Sequence, residues 1–202
     1  MLNLILSILL LILILLLMRP KFGDGKHKHR LCIVLGSGGH TTEMFRMLQG
    51  VALDAFEPRL YVIATSDSHS EAKMNEFESS INRQFDSVRI PRSREVNQSW
   101  TSSVVTTMAA SIASLQLVIS HQPEVLLCNG PGTCVPLAVF AVLLTRLRLA
   151  KPCKVIYIES FARVRRLSLS GLLLHRIVDQ FVVQWPQLKT RYPHAVYKGR
   201  LV

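Results

Sequence analysis

The residues best equipped for chemistry lie together in Gly36-Ser37-Gly38-Gly39-His40-Thr41-Thr42-Glu43. Three glycines in four positions allow positive φ and close backbone approach, and Thr41 or Thr42 is expected to cap a helix that follows. Such a helix aims its free amides and the positive end of its dipole at the loop, a seat for phosphate worth about 0.3–2 kcal/mol per favourable charge. His40 stands at the rim. It is either an imidazole able to exchange a proton near neutrality or a side chain that only hydrogen-bonds the loop backbone. A P-loop would end in Gly-Lys-Ser/Thr, whereas this run has Gly39-His40-Thr41 and no lysine for a terminal phosphate. A dinucleotide fingerprint would need a third glycine where Thr41 stands. The nucleotide-hydrolysis reading therefore fails, and NAD is disfavoured.

The same pattern recurs further on. Glu124-Val125-Leu126-Leu127-Cys128 reads as a buried strand, Asn129-Gly130-Pro131-Gly132-Thr133 as a tight loop and Val135 to Leu147 as an apolar helix. In a parallel sheet, glycine loops at the carboxyl ends of two strands face one crevice, where open α/β folds bind ligands. Two loops suggest two phosphates, unless the second is an ordinary tight turn. Lys154 to Ile158 is a further buried strand ending on Glu159-Ser160. The Glu159 carboxylate either points into the crevice, sits on its rim or accepts hydrogen bonds from a loop.

The elements that must position these groups are legible in the apolar spacing. Leu31 to Leu35 reads as a buried parallel strand, and Met44, Met47, Leu48 and Val51 mark the helix after the first loop. Leu60 to Ala64 is the second strand, Ser70 to Ile81 a polar helix and Val88 to Ile90 a short strand. Pro91 to Trp100 is a polar loop carrying Arg92 and Arg94, either solvated or in contact with a ligand. Val105, Met108, Ile112, Leu115 and Ile119 fall at helical spacing, so Trp100 to Ser120 is expected to bury that stripe, with Met108 as core filler. Phe181 to Trp185 is the last long strand, followed by a short helix and the tail Val196 to Val202. Leu167, Leu169, Leu172, Leu173 and Leu174 cover too much of a helix circumference for one buried stripe, so some of them are expected to touch lipid. Cys32, Cys128, Cys134 and Cys153 show no CxxC pair and no zinc spacing, and read as small core residues.

With 202 residues, 49% hydrophobic and 18% charged, the chain allows one well-buried domain plus a small extra element. Its formal charge of +11 points to anionic partners. Nucleic acid is disfavoured, because aromatics are only 7%, no known binding motif occurs and the basic residues flank apolar runs. Residues 1–18 form an apolar run relieved only by Asn3 and Ser7, spanning roughly 27 Å as a helix, enough for a thin bilayer. It ends in Arg19-Pro20-Lys21 rather than a small-residue cleavage site, so it reads as a retained single-pass anchor; the alternative, a helix lying in the interface, needs a polar face that this run lacks. Residues 19–30 form a basic linker with five Lys or Arg against one Asp, which places the body, residues 31–202, in the cytosol.

Four blocks now align with a known family: Gly36 to Glu43, Ile90-Pro91-Arg92-Ser93-Arg94-Glu95-Val96, Cys128-Asn129-Gly130-Pro131-Gly132-Thr133-Cys134-Val135-Pro136, and Val183-Gln184-Trp185-Pro186. In this order they resemble the membrane-anchoring subunits of the asparagine-linked glycosylation N-acetylglucosaminyltransferase. The resemblance covers nearly the whole cytosolic part. It implies an α/β, Rossmann-like parallel sheet equivalent to the N-terminal, acceptor-binding half of a GT-B glycosyltransferase, as in the bacterial transferase of peptidoglycan lipid intermediates. It implies a partner, a small soluble catalytic subunit carrying the UDP-GlcNAc site. The substrate it implies is dolichyl-diphosphate-GlcNAc, to which a second GlcNAc is added on the cytosolic face of the endoplasmic reticulum membrane.

Carried onto this sequence, the resemblance makes Gly36, Ser37, Gly38, Gly39 and Thr41, with Asn129, Gly130, Gly132 and Thr133, candidates for the acceptor diphosphate. His40 becomes the candidate general base, with Glu43 or Glu159 as alternatives. About 170 residues beyond the anchor supply only one of the two Rossmann-like domains that a GT-B enzyme needs, so the chain is expected to be inactive alone. The tail, with Val196, Tyr197, Arg200, Leu201 and Val202, is the expected docking point for the partner, unless it is a frayed terminus. No cofactor and no metal are called for. Two rivals remain open: a pure membrane scaffold for a complete enzyme, and a self-sufficient phospholipid hydrolase. Against the latter stands the lack of a GxSxG, a metal cluster or paired catalytic carboxylates.

Overall fold

The computed structural model describes residues 28–81, 84–93 and 100–202. The anchor at residues 1–18, most of the basic linker and Arg94 to Ser99 lie outside the described residues. Seven parallel strands form one sheet in the order β3-β2-β1-β4-β5-β6-β7. They are β1 (His29–Val34), β2 (Phe56–Ala64), β3 (Phe85–Ile90), β4 (Val125–Asn129), β5 (Lys154–Ile158), β6 (Gln180–Val183) and β7 (Val196–Tyr197). The helices between them are α1 (Gly39–Gln49), α2 (Ser68–Ile81), α3 (Trp100–His121), α4 (Cys134–Arg146), α5 (Leu169–Leu174) and α6 (Pro186–Arg191). The expected α/β parallel class is present. β2 and β3 run longer than expected toward their amino ends, and the two-residue β7 adds an edge strand where a bare tail was expected.

The strands read as continuous apolar runs because helices cover both faces of the sheet. Side chains alternate between those faces. Cys32, Val34, Leu60, Val62, Leu126 and Cys128 face a core completed by α3 and α4. Leu31, Ile33, Leu35, Tyr61 and Ile63 face a second core completed by α1 and α2, where Met44, Met47 and Leu48 are buried. Burying each Val, Leu, Ile or Met among these contributes about 1.5–3 kcal/mol. All four cysteines are buried and free, and burial pushes the Cys32, Cys128 and Cys153 thiols up.

α3 turns the opposite way from the apolar stripe's prediction. Val105, Met108, Ile112 and Ile119 are 52–69% exposed, Leu115 only borders the core, and Met108 fills no core space. The inward face carries Ala110, Ser114, Leu117 and Val118 instead. Small residues there let α3 pack closely on α4, whose Ala138 and Ala141 are fully buried. The buried Ser114 hydroxyl needs no outside partner, because it donates back to the Ala110 carbonyl at 2.6 Å. Ser103–His121 is also long and apolar enough to cross a membrane by length and composition. Among the leucines expected at lipid, Leu167 and Leu174 are core residues, while Leu169, Leu172 and Leu173 are exposed.

Candidate functional site

Strand order reverses between β1 and β4, since one crossover runs toward β2 and the other toward β5. The loops leaving these two strands therefore bound the crevice at the carboxyl edge of the sheet. They touch: a Cβ on Gly36 would stand 2.9 Å from Pro131 Cγ and 2.8 Å from His40 Cβ. Gly38 at φ 66° and Gly130 at φ 76° make turns that side chains rarely permit. Between the loops lies a crevice of about 190 Å³ lined by Gly36, Ser37, His40, Arg92, Gly132 and Thr133 among others. Among the described residues, no acidic side chain lines it.

The helix cap differs from expectation. Gly38 occupies the cap position of α1 and no side chain caps the helix. The Thr41 hydroxyl, buried, turns back to the Gly36 carbonyl and to Ser70 Oγ at 2.6 Å, and Ser70 is held by Asp67 at 2.6 Å. Thr41 thus shapes the loop from behind rather than facing the crevice. The first-turn amides of α1 remain for an anion.

His40 is half-buried and its Nδ1 lies 3.1 Å from Asn129 Oδ1. Asn129, fully buried at the end of β4, sends its amide nitrogen to Glu43 Oε2 at 3.2 Å and to the Ile158 carbonyl at 3.3 Å. Its side chain is committed inside the fold and does not present itself to a diphosphate. Glu43 is buried too, and its other oxygen accepts from Ser160 Oγ at 2.7 Å. The motif spacing brought out His40, Asn129 and Glu43 singly. Their connection, and the part of Ser160, had no sequence signal beyond the one-turn separation of His40 and Glu43.

Glu159 is buried away from the crevice. It accepts from the Ser168 amide at 2.9 Å, the Ser168 hydroxyl at 3.0 Å and the Ser160 amide at 3.2 Å. Of the three sequence alternatives, the loop acceptor is the one present, and a proton-transfer role at the crevice has no geometry behind it. Burial pushes its carboxyl above the usual range, opposed by the Ser168 and Ser160 donors. Gly171 makes room for it, since a Cβ there would fall 2.1 Å from Glu159 Oε2.

Beside the polar crevice runs an apolar groove of about 420 Å³ between α3, α4 and α5, lined by Val104, Met108, Val135, Leu169 and Leu173. Gly132 lines both spaces. Sequence reading missed this groove because it placed Met108 in the core. At the other edge of the sheet the tail is tied down. The Leu201 amide donates to Gln184 Oε1 at 3.0 Å, and the Arg200 guanidinium lies 5.3 Å from the centre of the Trp185 ring.

The family model described as oligosaccharide biosynthesis protein Alg14 like matches residues 31–201. The chain is 47% identical over 206 residues to a Mus musculus protein named UDP-N-acetylglucosamine transferase subunit ALG14, covering 98% of this chain and 94% of that one. The Homo sapiens protein of the same name is 47% identical over 180 residues, with 85% and 82% covered. Among solved structures, Acinetobacter baumannii MurG superposes with a TM-score of 0.58 at 12% identity, over 87% of this chain and 44% of that one. The last likeness is one of fold, and the chain spans less than half of that protein's length.

Proposed function

This chain belongs to the Alg14-like family of oligosaccharide biosynthesis proteins, and from that premise we propose that it is the acceptor-binding, membrane-anchored subunit of a two-chain UDP-GlcNAc transferase. On this reading it holds dolichyl-diphosphate-GlcNAc at the cytosolic face of the endoplasmic reticulum, anchored by residues 1–18, and recruits a small soluble subunit that carries the donor. The observation that carries the reading is that a glycine-walled crevice bearing Arg92 and an apolar groove adjoin, with Gly132 lining both. A ligand with an anionic head and an apolar tail fits that pair of spaces. At about 30 Å³ per water, the crevice has room for roughly six waters, the scale of a diphosphate. Exposed Val105, Met108 and Leu172 beside the groove, with Arg163, Arg165 and Arg166 nearby in sequence, suit a bilayer surface rich in headgroup phosphates.

The chemistry then follows from the groups present. The uncapped amides of α1, the second loop and Arg92 hold the acceptor diphosphate. The acceptor sugar hydroxyl attacks the anomeric carbon of UDP-GlcNAc, the bond to UDP breaks, and UDP leaves with the electron pair. The hydroxyl proton passes to His40, whose ring lines the crevice.

The printed name of the mouse and human relatives, a transferase subunit, is the support for a partner chain. Transfer of radiolabelled GlcNAc from UDP-GlcNAc to the dolichyl acceptor should require both this chain and the soluble subunit. Transfer by this chain alone would overturn the division of labour. In sealed microsomes, added protease should digest the body, and protection would reverse the proposed orientation. The scaffold reading, in which the chain only recruits a complete enzyme, predicts that the glycine loops tolerate bulky side chains.

A further inference from the structure

We infer that Glu43 and Asn129 form a buried relay that holds neutral His40 in the tautomer protonated on Nδ1, leaving the Nε2 lone pair for a substrate proton. The use made of that lone pair rests on the proposed role of His40 as base; the tautomer itself does not. The Ile158 carbonyl can only accept, so the Asn129 atom 3.3 Å from it is the amide nitrogen. The same nitrogen lies 3.2 Å from Glu43 Oε2, which gives each of its two protons a partner. What His40 Nδ1 meets at 3.1 Å is then the Asn129 oxygen, which has no proton to give. Nδ1 must donate, and a neutral imidazole with its proton on Nδ1 carries its lone pair on Nε2.

Burial makes the arrangement firm. Asn129 is fully buried, Glu43 is 5% exposed and Ser160 is 4% exposed, so water is poorly placed to replace a member of the chain. Ser160 Oγ holds the far oxygen of Glu43 at 2.7 Å, tying the relay to the loop after β5. Among the described residues, His40 Nε2 has no hydrogen-bond partner. Neither Glu43 nor the Asn129 side chain lines the crevice, so both are positioning residues that act through His40.

The test is nitrogen NMR of the full chain in micelles with its soluble partner, using ¹⁵N-labelled histidine. The His40 resonances are assigned by their loss in His40→Gln. At a pH where the ring is neutral, the wild type should show a protonated Nδ1 and a bare Nε2. Asn129→Ala should shift the pattern toward the Nε2–H form that free histidine prefers. It should also lower kcat by about 10- to 100-fold, part of the ~10²–10⁴ a general base supplies, with KM for the acceptor little changed. A wild-type ring protonated on Nε2, or a pattern unmoved by Asn129→Ala, would overturn the relay. If Asn129→Ala does not fold, the wild-type spectrum decides. Full transfer by His40→Gln, alongside the expected spectra, would remove the base and leave the relay standing.

Discussion

The His40 ring lies directly over the Cα of Gly130: a Cβ built there would stand 2.3 Å from Cε1 and 2.5 Å from Nδ1. The two glycine loops are therefore one unit, in which the second loop's missing side chain is the first loop's space for a histidine. Gly130→Ala must push the ring off Asn129 and also adopt φ 76° with a side chain. We expect a stability cost of about 1–3 kcal/mol from the backbone strain, and a fall in transfer of about 10²-fold from misplacing the ring by an ångström. Thermal unfolding and steady-state transfer check the two parts separately. Wild-type kcat in Gly130→Ala would show that ring placement does not matter.

Gly132 offers the opposite experiment. A Cβ there meets nothing within 4 Å, and its φ is not in the left-handed region. Gly132→Val should leave stability within about 0.5 kcal/mol and membrane attachment intact. It should nonetheless abolish transfer by placing a side chain where the polar crevice and the apolar groove adjoin. Unchanged acceptor affinity would favour the scaffold reading over the acceptor site.

Glu159 gives a pH signature of stability. Burial raises its carboxyl above the ordinary value, so the folded state binds this proton more tightly than the unfolded chain. The resulting stability is complete below the unfolded carboxyl pKa, about 4.3, and is lost as pH rises through the raised folded value. Glu159→Gln removes that dependence. The stability of the wild type relative to Glu159→Gln should therefore decline as pH rises from about 4 toward neutrality, measured by denaturant unfolding at fixed salt. A difference that stays flat, or grows with pH, would mean that the carboxyl is not raised.

The tail is predicted to dock the soluble subunit. Tyr197 in the edge strand β7 and Leu201 after it are exposed, and the Leu201 backbone is anchored on Gln184, so the segment is presented in a fixed shape. Deleting Arg200 to Val202 should weaken co-purification of the partner by about tenfold or more, the scale of losing one or two interface anchors at ~1–2 kcal/mol each. Membrane insertion should change little, while the unfolding temperature should fall modestly, because the deletion leaves the buried Gln184 Oε1 without its Leu201 donor and removes Val202 from the second core. Recovery of wild-type amounts of partner would place the interface elsewhere.

The sequence by itself determined the α/β class, six of the seven strands and the two glycine loops. Strand cores such as Cys32-Ile33-Val34 and Leu126-Leu127-Cys128 are apolar without alternation, which only a sheet covered on both faces explains. The glycines mark loops at strand ends, where positive φ is needed. Orientation was decided elsewhere. Spacing alone put the Val105-Met108-Ile112 stripe inward, but Ala110 and Ser114 let α3 approach α4 more closely, and the bulky stripe was left outside. Arg59 is fully buried and paired with Glu78 at 2.6–2.8 Å, with Tyr61 donating to the same carboxylate at 2.5 Å. That pairing joins residues 19 apart across β2 and α2, and no local pattern announces it. The same holds for His40, Asn129, Glu43 and Ser160. Each could be picked from a motif or passed over, but only the parallel pairing of β1, β4 and β5 sets their loops side by side and turns four polar side chains into one chain of hydrogen bonds.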